Sequence, residues 1–376
     1  MAHGELWRSQ PYLSQTLSWE SKHSKLAFQF RELSDAVVDS FERDAHLIPI
    51  QNEFWRQLFE KEAQLVTLDK VSVSEVLPRP NDIKARKWLQ IHSFIQGALL
   101  QSGVQYWVDW CGGKGHLLRS FLAREPVGGM VLERNHELCQ AGQALSGSQL
   151  NVSFSCADVL HDSLPKPAKS PSGIMAMHAC GQLTDKAIHY GLEHRMDVFA
   201  LLPCCYHHQP KDWQPLSKHG QRMNIGLTKH SMRLPSLLEH TLRKRRRELR
   251  QQQLIFRLAF QALYQLARLP VPELPSFPRR FFYLSFEGFC NAASESIQLK
   301  LPFEPQFSAA IEVGRRRAGQ ARRLALIHAP FRKAIEVWIN MDRALYLAEQ
   351  GLKVEVKQIC SASVTPRNVV ILANRS

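Results

Sequence analysis

Residues 201–208 read LLPCCYHH, two cysteines and two histidines behind an apolar run, and residues 178–181 read HACG. These residue types carry three chemistries. A histidine near its ordinary pKa accepts a proton from a weak nucleophile at neutral pH, a role open to His207 or His208. A cysteine whose pKa is depressed by neighbouring cations attacks carbon as the thiolate, a role open to Cys204, Cys205 or Cys180. Thiolates and imidazoles also hold zinc. Against zinc, Cys204 and Cys205 are adjacent, which keeps both from reaching one ion in a relaxed loop, and no C-x₂-C spacing accompanies them. No metal is therefore expected. Packing is the plain alternative for Cys180 and Cys204, because cysteine is small and often fully buried. Two adjacent histidines in an extended segment point to opposite sides, so at least one faces a pocket or solvent.

The elements that must position these residues alternate as in a parallel α/β sheet. VQYWVDW (104–110), GGMVLERN (128–135), NVSFSCADV (151–159), GIMAMHACG (173–181) and MDVFALLPCC (196–205) are short apolar runs that predict buried strands. HLLRSFLA, HELCQAGQAL and TDKAIHYGLEHR supply helices between or beside them. The alternation lapses after residue 208, until APFRKAIEVWINMDRALYLAEQG predicts an amphipathic helix and LKVEVKQIC and RNVVILA two closing strands. Upstream, residues 24–68 mix apolar and charged positions at helical spacing, and VLPRPNDIK ends the pattern with two prolines. Four segments result: an N-terminal helical module (1–78), the first part of the core (79–208), a basic, mostly helical insertion (209–330), and the last helix and strands of the core (331–376).

In an open α/β sheet the ligand lies beyond the carboxyl ends of the strands, and the turn after the first strand is usually glycine-rich. Here that turn is VDWCGGKGHLL. Gly112, Gly113 and Gly115 permit a sharp turn and close approach to a ligand, and the helix starting near His116 presents free N–H groups. The third glycine of a dinucleotide loop is missing, since Leu118 stands three residues after Gly115. The acids point to S-adenosylmethionine instead. Asp109 precedes the glycines, Glu133 ends the second strand where it can accept from both ribose hydroxyls, and Asp158 ends the third where it can accept from the adenine amino group. The fold class expected is α/β, a Rossmann-like class I methyltransferase sheet with an N-terminal helical module and a basic helical insertion.

Charge narrows the partner. The 376 residues carry a net charge of +14, and residues 211–333 alone hold 23 Lys plus Arg against 8 Asp plus Glu. Within them, LRKRRRELRQQQ (242–253) and GRRRAGQARR (314–323) offer Arg243, Arg245, Arg246, Arg315 and Arg322 as contacts to a polyanion, with Arg315/Arg322 and Arg316/Arg323 seven apart on one helical face. RNA through this segment is the expected partner. Lys84, Arg86 and Lys87 stand close to the cofactor rim, and TPRNVVILA is placed to bring Arg367 and Asn368 there. FPRRFFYLSFEGF (277–289) reads as core in preference to a base-stacking surface. No leader with a basic flank and apolar core opens the chain, no run of about 18 apolar residues occurs, and the 8 cysteines lack paired spacing. A cytoplasmic protein with reduced thiols and no membrane association is expected.

The order VDWCGGKGHL, HACG, PCCYHH and TPRNVVILA resembles a branch of the class I methyltransferases. That branch contains the tRNA 2′-O-methyltransferases acting on the acceptor stem and the methyltransferase domain of the glutathione S-transferase C-terminal domain-containing protein. The resemblance covers residues 80–208 and 331–376. It implies that Asp109, Cys111, Gly112, Gly113, Gly115, Glu133, Asp158 and His178 line the cofactor, and that His178, Cys180, Gly181 and residues 203–208 face the transferred methyl. The function expected is S-adenosylmethionine-dependent methylation of structured RNA, tRNA or rRNA, at the ribose 2′-oxygen, with Tyr206 stacking or hydrogen-bonding a base. The alternatives are RNA cytosine-5 methylation through a cysteine adduct, a non-catalytic RNA-binding scaffold, and a small-molecule or protein methyltransferase.

Overall fold

The computed structural model describes residues 3–14, 16–43, 50–65, 67–71, 78–99, 103–237 and 244–375. They form two compact units, Gln57–Thr241 with Pro330–Ser376 and His3–Arg56 with Leu242–Ala329. This grouping differs from the four-segment reading. Residues 209–237 join the sheet unit, where Trp213, Leu227, Met232 and Leu234 are buried, and the helices near the N-terminus join the basic helices.

The first unit is built on seven strands: β1 (Tyr106–Trp110), β2 (Gly128–Glu133), β3 (Val152–Cys156), β4 (Ser172–Cys180), β5 (Val198–Cys204), β6 (Lys353–Gln358) and β7 (Val369–Asn374). Their order is β3-β2-β1-β4-β5-β7-β6. The first five pair in parallel, and β7 runs antiparallel between β5 and β6. This is a Rossmann-like sheet, as the strand pattern predicts. Every residue of β1 and most of β2, β4 and β5 are buried, which explains why those strands read as continuous apolar runs instead of alternating ones. Strand order reverses between β1 and β4, so the crevice for a ligand opens at their carboxyl ends. Asn135 caps the His136–Ser146 helix by accepting from Leu138 N–H at 3.1 Å.

In the second unit the helices Lys244–Leu266 and Phe307–Ala325 pack together. Gly314 makes the close approach possible, since a Cβ there would stand 2.6 Å from Ala259 Cβ and 2.8 Å from the Ile255 carbonyl oxygen. Phe256, Phe260, Phe282, Phe289 and Ala310 form the core beside it, so the aromatics of residues 277–289 are largely packing, as their pattern suggested. Replacing Gly314 by Leu overfills this contact and is expected to destabilise the second unit by about 1–3 kcal/mol. A lower urea midpoint for the far-UV signal of the full chain is the measurement.

The arginines of this unit are less available than the sequence suggested. Arg322, offered as a phosphate contact, has a side chain only 13% exposed and is bound by both Glu42, at 2.9 Å, and Asp39. Arg323 donates to Asp35 at 2.8 Å and to the Leu33 carbonyl at 2.7 Å. The acids that neutralise them lie some 280 residues upstream, so a local charge count leaves them out. Arg315 is exposed and paired with Glu312 three residues earlier, and Arg245 and Arg246 are exposed at a helix start. Arg243 lies outside the described residues. Among the described residues no helix is long and apolar enough to cross a membrane.

Candidate active site

Beyond β1 the chain turns back on itself through three positive-φ residues, Cys111 (54°), Gly113 (62°) and Gly115 (64°). Asp109 closes the turn from below. It is 2% exposed, its Oδ2 accepts from Leu118 N–H at 3.4 Å, and burial pushes its carboxyl up to about 7. Gly112 packs directly over it: a Cβ there would sit 2.5 Å from Asp109 Oδ2 and 2.8 Å from Val131 Cγ1, whereas a Cβ on Gly113 would meet nothing within 4 Å. The glycines therefore do different jobs, one seating the loop on the acid and one leaving open space above it. Cys111 is half-buried, and burial pushes its thiol up to about 12, so it stays neutral in the turn.

Glu133, at the end of β2, fixes the other wall. Its Oε2 accepts from Gly113 N–H at 3.0 Å and its Oε1 from Asn135 N–H at 2.9 Å. Each carboxylate oxygen has a second lone pair left for a ligand hydroxyl. Asp158 follows β3, with Oδ1 accepting from Leu160 N–H at 3.0 Å. An open glycine turn flanked by two strand-end carboxylates with spare acceptor capacity fits S-adenosylmethionine: Glu133 would hold the ribose hydroxyls, Asp158 the adenine amino group, and the 112–115 backbone the remainder. A methyl at Gly112 would displace the Asp109 carboxylate, so Gly112→Ala is expected to weaken cofactor binding by about tenfold or more, roughly 1.4 kcal/mol. Calorimetric titration of the full chain with S-adenosylmethionine reads this directly.

The carboxyl end of β4 supplies the second half of the site. A bulge interrupts its pairing with β5 between Met177 and Cys180, and His178 takes φ 67°, a left-handed conformation that costs a residue with a Cβ. Its Nε2 lies 2.8 Å from Gln90 Oε1. Gln90, on the Ala85–Phe94 helix, is buried, and nothing in its local pattern marks it, because an isolated glutamine on a helix is ordinary. Gln90 Oε1 accepts, so Nε2 carries the proton and Nδ1 keeps its lone pair. Burial first, and the charge of Arg367 second, push the ring down to about 4, which makes it neutral at physiological pH.

Residues 203–208 pack tightly on HACG. Gly181 N–H donates to Cys204 O at 3.1 Å, Gln182 N–H to His208 O at 3.1 Å, and a Cβ on Gly181 would collide with His208 O at 2.1 Å. Cys205 takes φ 44°. Cys180 and Cys204 Sγ are 3.3 Å apart, and with Cys205 the three sulfurs lie within 4.8 Å of one another. Hydrogen bonds from the Cys180 and Cys204 thiols, with Arg367 and His208 adding positive charge, hold Cys205 well below the usual thiol range. The same contacts push Cys204 up. His207 and His208 stack edge to face with ring centroids 4.5 Å apart; burial lowers His207, and its Nδ1 is buried without a hydrogen-bond partner.

Tyr206 departs from the expectation that it stacks on a base. It is 0% exposed, its hydroxyl donates to Glu336 Oε1 at 3.1 Å and accepts from Asn340 Nδ2 at 2.9 Å. Lys333 Nζ then joins Glu336, at 2.7 Å, to Asn368, at 2.8 Å. Arg343, also fully buried, donates to Asp185 at 2.8 Å and to the Gly181 carbonyl at 3.2 Å, with its guanidinium over the Tyr206 and Trp213 rings. The Ala329–Glu349 helix thus holds both Tyr206 and the Gly181 turn in place. Tyr206 is a support and leaves recognition to other groups.

Residues 86–211, a third of the chain, match the family model described as a methyltransferase domain. Among solved structures, the [4+2]-cyclase SpnF is 14% identical, over 39% of this chain and 55% of its own, with a TM-score of 0.26. Human N-acetylserotonin methyltransferase in complex with SAM is 14% identical over 51% of this chain and 52% of its own, at a TM-score of 0.25. The 23S rRNA methyltransferase ErmE is 15% identical over 65% of this chain and 98% of its own, at 0.27. The chain spans just over half the length of the first two.

Proposed function

We propose that the protein methylates structured RNA, a tRNA or rRNA, at a ribose 2′-oxygen, with His178 as the group that takes the hydroxyl proton. The observation that carries this reading is the state of His178, a neutral imidazole at the rim whose Nε2 is committed to Gln90 and whose Nδ1 is left as an acceptor. A ribose hydroxyl is a weak nucleophile until its proton has somewhere to go, and a positioned acceptor supplies that. Arg367, whose charge acts on both His178 and Cys205, favours the negative charge that develops on the hydroxyl oxygen. When bound, S-adenosylmethionine supplies an electrophilic methyl on its sulfonium sulfur. The chain's own contribution is to hold the acceptor in line, and positioning of this kind accounts for much of the rate in a direct transfer.

The proton acceptor thereby moves from His207 and His208, which sequence favoured, to His178. The cysteine-adduct alternative retains a thiol held low at Cys205, but that sulfur is engaged by the Cys180 and Cys204 thiols, and Cys204 itself is buried and pushed up. Support for RNA comes from exposed cations in both units, Lys84, Arg86 and Lys87 at one helix start and Arg245 and Arg246 at another. To test the substrate class, the full chain is incubated with methyl-tritiated S-adenosylmethionine and a lysate. Label that precipitates with acid and is released by ribonuclease supports the reading; label released only by protease, or never precipitable, overturns it in favour of a protein or small-molecule acceptor.

A further inference from the structure

We infer that Cys180, Cys204 and Cys205 form a three-thiolate site for a soft divalent metal ion, zinc above all, with its fourth coordination position open towards the methyl-acceptor side of the rim. Spacing argued against this, since adjacent cysteines in an extended loop project to opposite sides. The backbone removes that objection. Cys180 and Cys204 are register partners at the ends of two parallel strands, with sulfurs 3.3 Å apart, and the left-handed φ of Cys205 folds the third sulfur back to within 4.8 Å of both. Tetrahedral zinc with Zn–S bonds of about 2.3 Å needs sulfurs about 3.8 Å apart, inside the spread seen.

The cluster is also preformed. Gly181 N–H binds Cys204 O, His208 N–H binds Cys205 O at 2.9 Å, and buried Tyr206 pins the loop from the other side, so the left-handed turn at Cys205 is maintained by its surroundings. Thiolates are the ligands that select zinc over the hard cations. Binding replaces the thiol protons by the metal: one divalent ion and three thiolates give a centre of net charge −1, with the displaced protons going to solvent. Arg367, the nearby cation whose own Nε is buried without a hydrogen-bond partner, offsets that charge. Among the described residues no histidine or carboxylate completes the set. Three protein ligands with the fourth place left for water or a substrate atom is the arrangement of catalytic rather than structural zinc.

The test is metal analysis of the full chain, isolated under reducing conditions and reconstituted with zinc chloride, then dialysed free of excess ion. Close to one zinc per chain is expected, replaceable by cobalt(II) with the thiolate-to-metal charge-transfer absorption and intense visible bands of a tetrahedral site. Cys180→Ser and Cys205→Ser should lose the metal and the bands, while Cys156→Ser and Cys360→Ser keep both. Cys204 is fully buried, so its variant is read only where cofactor binding shows the fold intact. No retained zinc, with Cys180 and Cys205 alkylated by iodoacetamide as readily as Cys156, would overturn the inference. So would a Cys180–Cys204 disulfide in place of the metal. Calorimetric binding of S-adenosylmethionine by the same sample reports separately on the methyltransferase reading.

Discussion

His178→Ala lowers kcat for methyl transfer by about 10²- to 10⁴-fold, the usual contribution of a positioned proton acceptor. The loss is expected on kcat because the role proposed for His178 is to take the hydroxyl proton, and the acids at 109, 133 and 158 that would hold the cofactor are untouched. The pH dependence has a definite sign. The ring titrates at about 4, pushed below its ordinary value by burial, so it is neutral throughout the physiological range. The wild-type rate is therefore expected to hold level from pH 6 to 8 in its dependence on this group and to fall as pH drops towards 4. In His178→Ala that acid limb disappears. Gln90→Leu, which removes the acceptor of Nε2–H, frees the ring to rotate and is expected to give a smaller loss in kcat together with an acid limb moved to lower pH, because that acceptor favours the protonated ring. Gln90 is thus a positioning residue, separable from a packing residue by that pH profile.

The second large effect is on stability. Arg343→Met removes a guanidinium that is fully buried, leaving the Asp185 carboxylate with Gln209 but no countercharge and the Gly181 carbonyl with the Thr184 N–H alone. Breaking a buried pair by deleting one partner costs about 3–5 kcal/mol, because an uncompensated charge stays behind. Urea unfolding should show that loss in the sheet unit. The double variant Arg343→Met with Asp185→Leu should lose less, since no charge is then stranded; equal losses would mean that the arginine serves by its contacts with Tyr206 and Trp213 instead.

The parts of this site that sequence revealed are the parts built within one strand–turn–helix unit. Asp109 and Glu133 could be named because each ends a buried strand beside a glycine turn, and His178 because HACG ends another. What stayed hidden depends on partners distant in the chain. Tyr206 looked like a stacking residue in PCCYHH, and only Glu336 and Asn340, 130 and 134 residues onward, show that its hydroxyl is used up inside. Arg322 looked like a phosphate contact until Glu42 and Asp39, far upstream, claimed it. The convergence of three thiols needed a backbone angle, φ 44° at Cys205, that an adjacent cysteine pair does not announce. The strands themselves were legible for a simpler reason: burial on both faces writes itself as an unbroken apolar run.

The acceptor atom tests the account most directly. RNA methylated by the full chain with methyl-tritiated S-adenosylmethionine is hydrolysed in alkali, which cleaves each phosphodiester through its free 2′-hydroxyl. A hydroxyl-directed enzyme leaves the label in alkali-resistant dinucleotides, and His178→Ala should remove that label with the cofactor still bound. Label in single nucleotides, carried on a base, would contradict the assignment of a ribose 2′-oxygen and of His178 as its proton acceptor.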